Sequence, residues 1–423
     1  MITFRYSIQP TREQGETLAR HVETCRRLYN RLLGELNRAR EAGTPLSWVG
    51  AVSLLPGWKH GDFPEMKDVH SRVAMMVARQ LFANLASLGA KKNRGRKVGR
   101  LRFKGRGWYN SLAYNQSGFT IEWARGAIRL SKVGEVPARF HRVPPPGHKV
   151  KGVVVKRTGT GKCVACLHCE EPGDKDAGST ETLEARVEAV LDEGGHAVGI
   201  DLGIAHFAAD SDGNFVASPQ HLEFSLAKVK RLQKKLSRKK KASNRRQKAK
   251  FVLAKLHEKV ANQRRDFLHK LSRYYVANYD VICAEDLAVA GMLQEKRAGF
   301  GKKANTTLHR HVSGAGWRTF LDMLAYKARS AGKLAIFVDP RGTSQECAAC
   351  GTTVPKQLWD RTHLCPHCGF TTDRDTNSSL VILKRGTGRA PTPVELAPLL
   401  QLAGASAGVE TGTRTEYQCI FLQ

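Results

Sequence analysis

The sequence predicts an α/β protein of several domains. Its 423 residues exceed what one ordinary core organises, so two to four compact units are expected. Along the chain, segments whose apolar residues follow helical spacing alternate with segments in which every second residue is apolar, as in strands. The formal net charge is +31, from 69 Lys and Arg against 38 Asp and Glu. Self-repulsion makes such an excess costly without a polyanion, so nucleic acid is the expected partner.

The N-terminal part predicts a strand followed by helices. Residues 1–10 resemble a strand, and Thr11 opens a helix with Glu13 and Gln14 in its first turn. The apolar face of that helix is Leu18, Val22, Cys25, Leu28, Leu32 and Leu33. A second helix carries Val73, Met76, Val77, Leu81, Leu85 and Leu88. From about 111 to 171, short alternating strands such as GFTIEW and KGVVVKR predict a small β-barrel or sheet.

A basic loop, KKNRGRKVGRLRFKGRGWYN, follows the second helix. It interleaves cations such as Arg102 and Lys104 with the aromatic residues Phe103, Trp108 and Tyr109. This mixture suits phosphate contacts combined with base stacking. The alternative is an ordinary solvated loop. We take Arg102, Lys104 and Trp108 as candidate nucleic-acid contacts.

Residues 226–274 carry the highest density of positive charge. This segment has nineteen Lys and Arg residues, with Glu258 and Asp266 as its only acids. Two apolar stripes separated by SRKKKASNRR predict a helical hairpin. Too few acids are present for a helix stabilised by internal ion pairs, so phosphate is the expected counter-charge. The candidate contacts are Lys239, Lys240, Lys241, Arg245 and Arg246.

Carboxylates occur at three places in the second half. Asp201 lies within the apolar strand of HAVGIDLG, where a charge needs a partner or a metal ion. Glu285 and Asp286 end the buried strand of YDVICAEDL, and Asp373 and Asp375 fall in DRDTNSSLVIL. Many strands end in acidic residues, so the second of these signals is weak by itself.

Four of the ten cysteines have the spacing of a metal site. Cys347, Cys350, Cys365 and Cys368 form two C-x2-C pairs, each followed directly by a glycine. Two such pairs supply the four sulfurs of a closed, structural Zn²⁺ site. A second group, Cys163, Cys166 and Cys169, predicts strand packing instead, because a three-residue spacing sends neighbours to opposite faces.

We expect no membrane span. The sequence contains no apolar run of about 18 residues, and Met1 leads directly into a strand-like segment. An intracellular, cytoplasmic and nucleoid-associated prokaryotic protein is therefore expected, with a monomer or homodimer as its state.

The order of motifs resembles TnpB, the transposon-encoded OrfB family. GIDLG is followed by the long basic hairpin, and then come AEDL, PRGTSQECAACG, CPHCGF and DRDTNSSLVIL. Near the N-terminus, YSIQPTREQGETLARHVETCRRLYNRLL and LRFKG also resemble the family. The usual Asn-Ala-Ala reads Asn377-Ser378-Ser379 here. The same motifs are similar to compact type V CRISPR effectors, and the chain length favours TnpB.

The resemblance implies an RNase-H-like RuvC nuclease domain with an inserted zinc ribbon. It also implies an N-terminal β-barrel wedge domain with an inserted helical recognition unit, and cleavage of double-stranded DNA paired to a guide RNA. Asp201, Glu285 and Asp375 match the catalytic acids of the family. Hydrolysis of a phosphodiester by such acids uses two Mg²⁺ ions held by hard oxygen ligands.

On this basis the chain divides into eight segments. They are the first part of the wedge domain (1–40), the recognition unit (41–98), the second part of the wedge domain (99–172), a linker (173–195), the nuclease domain with its basic hairpin (196–342), the zinc ribbon (343–371), the last nuclease motif (372–386) and a C-terminal tail (387–423).

Two functions from other classes stay open. A nuclease-inactive, RNA-guided repressor shares the fold and charge but normally lacks one or more of the three acids, all of which this sequence has. A transposase ranks third, because no motif resembles a tyrosine or DDE strand-transfer centre. The guide sequence, the flanking DNA motif and the choice between transposon and CRISPR context are not encoded in these patterns.

Overall fold

The computed structural model describes residues 1–115, 117–171, 182–294, 301–357 and 360–389. The chain divides into two compact units, Met1–Gly178 and Ser179–Gln423. The division falls within the segment predicted as a linker. That segment is not linker throughout, because a helix occupies Leu183–Asp192. Most of the predicted C-terminal tail lies outside the described residues.

The N-terminal unit combines a helical layer with a curved sheet. Its elements are β1 (Ile2–Ile8), α1 (Arg12–Glu41), α2 (Trp48–His60), a 3-10 turn (Pro64–Asp68), α3 (Ser71–Asn93), β2 (Ser111–Asn115), β3 (Phe119–Glu122), β4 (Ala127–Leu130), β5 (Gly134–Arg139), β6 (Lys149–Arg157) and β7 (Cys163–Glu170).

The seven strands form one antiparallel sheet in the order β2-β6-β7-β1-β5-β4-β3. The two outer strands, β2 and β3, are consecutive in the chain, so the sheet curls back on itself into a nearly closed barrel. The small β-barrel predicted from the alternating strands is thereby confirmed. All three cysteines of the second group lie on β7, as predicted.

Local sequence explains the start of α1. The Thr11 side chain accepts from the backbone N of Gln14, and the Gln14 side chain accepts from the backbone N of Thr11, which together make a capping box. The predicted apolar face is buried at Leu18, Cys25, Leu28, Leu32 and Leu33, with Val22 half-buried. This face packs in the core of the N-terminal unit.

One finding qualifies the expectation about membrane spans. Within the described residues, α3 alone is long and apolar enough to pass a length-and-composition test for a membrane helix. Its buried residues, among them Val73, Val77 and Leu81, lie in the core of the N-terminal unit. A single helix of this kind is weak evidence for a membrane span, because the core helix of a soluble protein passes the same test.

The second unit is built around a mixed sheet. Its elements are α4 (Leu183–Asp192), β8 (Ala197–Asp201), β9 (His206–Asp210), β10 (Phe215–Ala217), α5 (His221–Ser237), α6 (Asn244–Asn278), β11 (Val281–Glu285), α7 (Val289–Met292), α8 (Lys302–Ala315), α9 (Trp317–Ser330), β12 (Leu334–Val338), β13 (Thr362–Leu364), β14 (Thr371–Asp373) and α10 (Arg374–Thr387).

Five of these strands form a sheet in the order β10-β9-β8-β11-β12. The strand β9 is antiparallel to both its neighbours, whereas β8, β11 and β12 run parallel. One face packs on α6 and α9 through residues such as Ile200, Tyr275 and Phe320. The other face packs on α10, and Cys283 and Ile382 belong to the same core cluster there. The predicted helical hairpin is confirmed as α5 and α6.

Glycines let α10 approach the sheet closely. A Cβ on Gly199 of β8 would lie 2.0 Å from the backbone O of Ser379, and a Cβ on Gly386 of α10 would lie 2.3 Å from the Sγ of Cys283. Neither contact is compatible with a side chain at the glycine. This close packing fixes the helix that carries Asp375 against the strands that carry Asp201 and Glu285.

Candidate active site and metal centre

The three predicted catalytic acids line one cavity. Asp201 is the last residue of β8, Glu285 is the last residue of β11, and Asp375 lies in the first turn of α10. Because β8 and β11 are parallel, their carboxyl ends meet at the same edge of the sheet. The cavity there has a volume of about 440 Å³ and is lined by all three acids. The structure thus brings together side chains that are far apart in the sequence.

Burial and like charge make the site electrostatically costly. Burial, followed by the charges of Glu285 and Asp375, raises the pKa of Asp201 well above its usual value, while Arg374 opposes the shift. Burial also raises the pKa of Glu285, against hydrogen bonding from Thr343 and the charge of Arg385. Holding these carboxylates ionised together requires a positive counter-charge, which a divalent cation supplies.

Asp375 already has a cationic neighbour. The guanidinium of Arg374 donates to its Oδ1 from Nη2 at 2.8 Å and from Nε at 3.0 Å. Arg374 and Arg361 also line the cavity. These two arginines add positive charge beside the acids.

Two further acids, Asp373 and Asp286, lie close in sequence to the candidate catalytic acids. Both have other partners. Asp373 caps α10, accepting from the backbone N of Asp375 at 2.8 Å and of Thr376 at 3.3 Å. Asp286 is largely exposed and pairs with Arg318 at 3.3 Å. Neither lines the cavity.

The departure from Asn-Ala-Ala is accommodated within α10. Ser378 Oγ donates to the carbonyl of Arg374 at 3.0 Å, and Ser379 Oγ donates to the carbonyl of Thr376 at 2.7 Å. Both serines are buried, and both hydroxyls are satisfied by their own helix. The two serines are therefore accommodated within the helix that carries Asp375.

The four predicted zinc ligands form a compact cluster. Their sulfurs all lie within 4.8 Å of one another, with Cys347 Sγ 3.7 Å from Cys368 Sγ and Cys350 Sγ 3.5 Å from Cys365 Sγ. Four ligands at a Zn–S distance of 2.3 Å would have sulfurs about 3.8 Å apart in a tetrahedron. Disulfide bonds are excluded in this geometry, because they need sulfurs at about 2.05 Å. The residues present therefore fit a structural zinc ion.

The backbone of the cluster explains the glycine after each pair. Gly351 and Gly369 have φ of +76° and +74°. Their backbone N atoms donate to the carbonyls of Cys347 at 2.8 Å and Cys365 at 2.9 Å. The two C-x2-C segments, here called knuckles, thus have the same backbone turn. Each knuckle needs, directly after its second cysteine, a residue that tolerates the left-handed region of backbone conformation. Hydrogen bonding from Thr352 lowers the pKa of Cys350 to about 6, which favours the thiolate that binds metal.

Among the described residues, the four cysteines are the one group of three or more His, Cys, Asp or Glu side chains whose candidate ligand atoms all lie within 4.8 Å of one another. The three acids are therefore spaced more widely than the ligands of a single closed site.

Of the predicted contacts in the basic hairpin, most lie in or beside its turn. Lys240, Lys241 and Arg245 are exposed, and Lys239 is half-buried. Arg246 differs, because its Nη1 donates to the carbonyls of Leu236 at 2.8 Å and Lys239 at 3.0 Å. Arg246 therefore holds the turn together.

The basic loop of the N-terminal unit is attached to α1. Asn30 bonds both backbone groups of Lys104, with its Oδ1 2.7 Å from the N and its Nδ2 3.0 Å from the O. The Lys104 Nζ lies 5.7 Å from the centre of the Tyr29 ring, so this lysine is half-buried. Arg102 is exposed, and so is Trp108 at 79%. An indole this exposed beside several cations is available for stacking.

Sequence reasoning missed two residues that touch an acid of the site, Arg374 at Asp375 and Thr343 at Glu285. Thr343 Oγ1 donates to Glu285 Oε1 at 2.6 Å. The sole signal for it was its place in PRGTSQEC, a few residues before Cys347.

Three family models match parts of the chain. One described as "Probable transposase" matches residues 182–296, one described as "Cas12f1-like, TNB domain" matches 317–382, and one described as "Helix-turn-helix domain" matches 1–44. The last description does not fit the structure, since residues 1–44 contain β1 and one uninterrupted helix, α1.

Relatives match nearly the whole chain. A Streptomyces pristinaespiralis protein named "Putative RNA-guided DNA endonuclease" is 30% identical over 90% of this chain and 89% of its own length. The Escherichia coli K12 protein named "Putative RNA-guided DNA endonuclease InsQ" is 31% identical over 90% and 92%. Mimivirus proteins named TnpB-like match 34% of the chain at 30% identity.

A solved structure shares the fold. The chain is similar to Cas12f1 in the cryo-EM structure of its complex with sgRNA and target DNA, with a TM-score of 0.50 and 13% identity, covering 88% of this chain and 83% of Cas12f1. Together with the full-length relatives, these findings mean that the chain belongs to the TnpB family of OrfB proteins.

Proposed function

We propose that this protein is an RNA-guided DNA endonuclease of TnpB type, a Mg²⁺-dependent hydrolase that cuts guide-matched DNA beside a short flanking motif. The observation that carries the proposal is the convergence of Asp201, Glu285 and Asp375 on one cavity. Membership of a family whose members are named for this activity supports it. We place its action in the prokaryotic cytoplasm, at the nucleoid.

The chemistry follows from the donor set. Two Mg²⁺ ions, when bound, would activate water and stabilise the attacking and leaving oxygens of an in-line displacement. Asp201, whose pKa the charges of the other two acids raise, would serve both ions, and Glu285 and Asp375 would each serve one. Arg374 and Arg361 attract the phosphate backbone into the cavity.

The architecture is assigned accordingly. The strand order β10-β9-β8-β11-β12, with an antiparallel β9, supports an RNase-H-like RuvC domain in the second unit. The four-cysteine cluster, inserted between β12 and α10, is its zinc ribbon. The barrel of the N-terminal unit is the wedge domain, and α2 to α3 form the inserted recognition unit.

Guide RNA and double-stranded DNA are the proposed partners. The hairpin turn at Lys239–Lys241 and the loop bearing Arg102 and Trp108 supply the phosphate contacts and the stacking surface. Sequence choice is left to base pairing with the guide.

The test is cleavage of plasmid DNA by protein purified with its co-expressed RNA, with and without Mg²⁺. Asp201→Ala, Glu285→Ala and Asp375→Ala should each abolish cutting. Asp286→Ala is the matched control, since Asp286 neighbours Glu285 but pairs with Arg318 outside the cavity, and it should cut normally. Tight binding of RNA and DNA by the parent protein without cutting would overturn the proposal in favour of a nuclease-inactive repressor.

A further inference from the structure

The carboxylate of Glu285 is held by a hydroxyl. Thr343 Oγ1 lies 2.6 Å from Glu285 Oε1 and 3.0 Å from the carbonyl of Pro340. A hydroxyl carries a single proton, and a bond to an ionised acceptor is the stronger one, so Thr343 donates to the carboxylate when Glu285 is charged. Both side chains are buried. Solvent is therefore poorly placed to replace this bond.

The loop that presents Thr343 is fastened to α10. Arg385 Nη1 donates to the carbonyls of Asp339 at 3.0 Å and Arg341 at 2.7 Å. Its Nη2 lies 2.7 Å from Glu346 Oε2. One guanidinium thus holds the loop on both sides of Thr343, and it does so from the helix that carries Asp375.

The far end of the loop, where the four-cysteine cluster begins, is also fastened to α10. Asn377 Nδ2 donates to the carbonyl of Glu346 at 2.7 Å, and the backbone N of Ala348 donates to Asn377 Oδ1 at 3.1 Å. Ala348 follows Cys347 directly. The loop, the first knuckle and α10 therefore form one hydrogen-bonded unit, which leaves the Thr343 hydroxyl little freedom to turn away.

We propose that Thr343 is a positioning residue for Glu285, fixing the rotation of its carboxylate so that the oxygen not bonded to Thr343 faces the cavity. The inference rests on the proposed function, in which Glu285 is a Mg²⁺ ligand. Hydrogen bonds to metal-ligating groups set the orientation of the ligand, and their loss weakens metal binding about tenfold to a hundredfold.

The experiment compares Thr343→Val, which replaces the hydroxyl by a methyl group of similar size, with Thr343→Ser, which keeps it. The matched control is Thr371→Val in the ribbon, where the hydroxyl bonds the carbonyl of Gly369 instead. For each full-length protein with its RNA, we would measure Mn²⁺ affinity by electron paramagnetic resonance, the Mg²⁺ concentration that gives half-maximal cleavage, the zinc content and Tm.

We expect Thr343→Val to weaken Mn²⁺ binding and to raise the half-maximal Mg²⁺ concentration, each about tenfold or more, with zinc content unchanged. Thr343→Ser and Thr371→Val should match the parent. Parental Mn²⁺ affinity in Thr343→Val would overturn the inference, as would a Thr343→Ser protein impaired as much as the valine variant.

If Thr343→Val fails to fold, the comparison moves to Thr343→Ala against Thr343→Ser, with the same two outcomes. Failure of the proposed function is distinguishable, because it would appear as absent cleavage in the parent protein. Mn²⁺ binding would still report on Thr343 in that case.

Discussion

Substituting Gly199 by Ala tests whether the close approach of α10 to β8 sets the geometry of the acids. The new Cβ would lie 2.0 Å from the backbone O of Ser379, 2.8 Å from the backbone N of Leu383 and 2.9 Å from the Cβ of Leu383. Since real Cβ contacts begin at about 3.0 Å, the helix must move away by at least 1.0 Å (3.0 minus 2.0). The obstructing atoms are mainly backbone, so rotation of one side chain cannot relieve the clash.

The expected effects follow from that displacement. Overpacking of a dense core costs about 1–3 kcal/mol, and a backbone clash belongs at the upper end. For a unit of this size, about 3 kcal/mol lowers Tm by roughly 6–12 °C. The helix carries Asp375, and misplacing a catalytic group by about 1 Å costs on the order of a hundredfold in rate.

The assays are thermal unfolding and the rate of Mg²⁺-dependent plasmid cleavage. Gly34→Ala is the control, because a Cβ at Gly34 in α1 meets nothing within 4 Å. That change should raise helix stability by up to about 1 kcal/mol and leave cleavage intact. A Gly199→Ala protein with the stability and the cutting rate of the parent would refute the packing argument.

Three further predictions concern other parts of the chain. Ser379→Ala removes a hydroxyl that bonds its own helix, so stability and cleavage should be nearly unchanged; a large loss in either would contradict this assignment. Replacing Lys239–Lys241 by Ala should flatten the salt dependence of RNA binding, measured by filter binding from low to high salt. An unchanged slope in this variant would argue against phosphate contacts. Arg246→Ala should instead chiefly lower Tm, because Arg246 holds the turn together. Burial raises the pKa of Asp210 to about 6. Between roughly pH 4 and pH 6, the folded state therefore holds a proton that the unfolded state has released. The free energy of unfolding consequently falls as pH rises through this window, by at most about 3 kcal/mol. Asp210→Asn should reduce that slope in denaturant unfolding across the window, and equal slopes in the two proteins would show the reasoning to be wrong.

Strong periodic patterns predicted several elements well. The β1 and α1 pair, the basic hairpin and the buried strand β11 were all readable, because each has long apolar periodicity or a clear cap. Several helices were not predicted, among them α2 and α4. In α2, Pro56 lies inside the helix and the apolar residues do not follow one face. In α4, an acidic composition conceals a single buried residue, Val187, which packs in the core beside Ile382.

The acids and cysteines of the site were predictable for a different reason. Asp201 and the two C-x2-C pairs carry signals within a few residues, from a charge in an apolar strand and from ligand spacing. The contact of Thr343 with Glu285 joins residues 58 positions apart. No local pattern encodes such a contact, since it depends on how the loop after β12 is held by α10.

The position of α10 in the chain has a consequence for synthesis. Asp375 follows Asp201 by 174 residues (375 minus 201), which a ribosome covers in roughly 9 to 35 s at about 5–20 residues per second. Over the last 90 residues of that interval (375 minus 285), after Glu285 has been added, the basic hairpin and two of the acids already exist, but β8 and β11 lack the helix that covers one face of their sheet. Under the proposed function, a nascent chain would therefore be able to bind nucleic acid before its third acid is in place, and the capacity to cut would arise last.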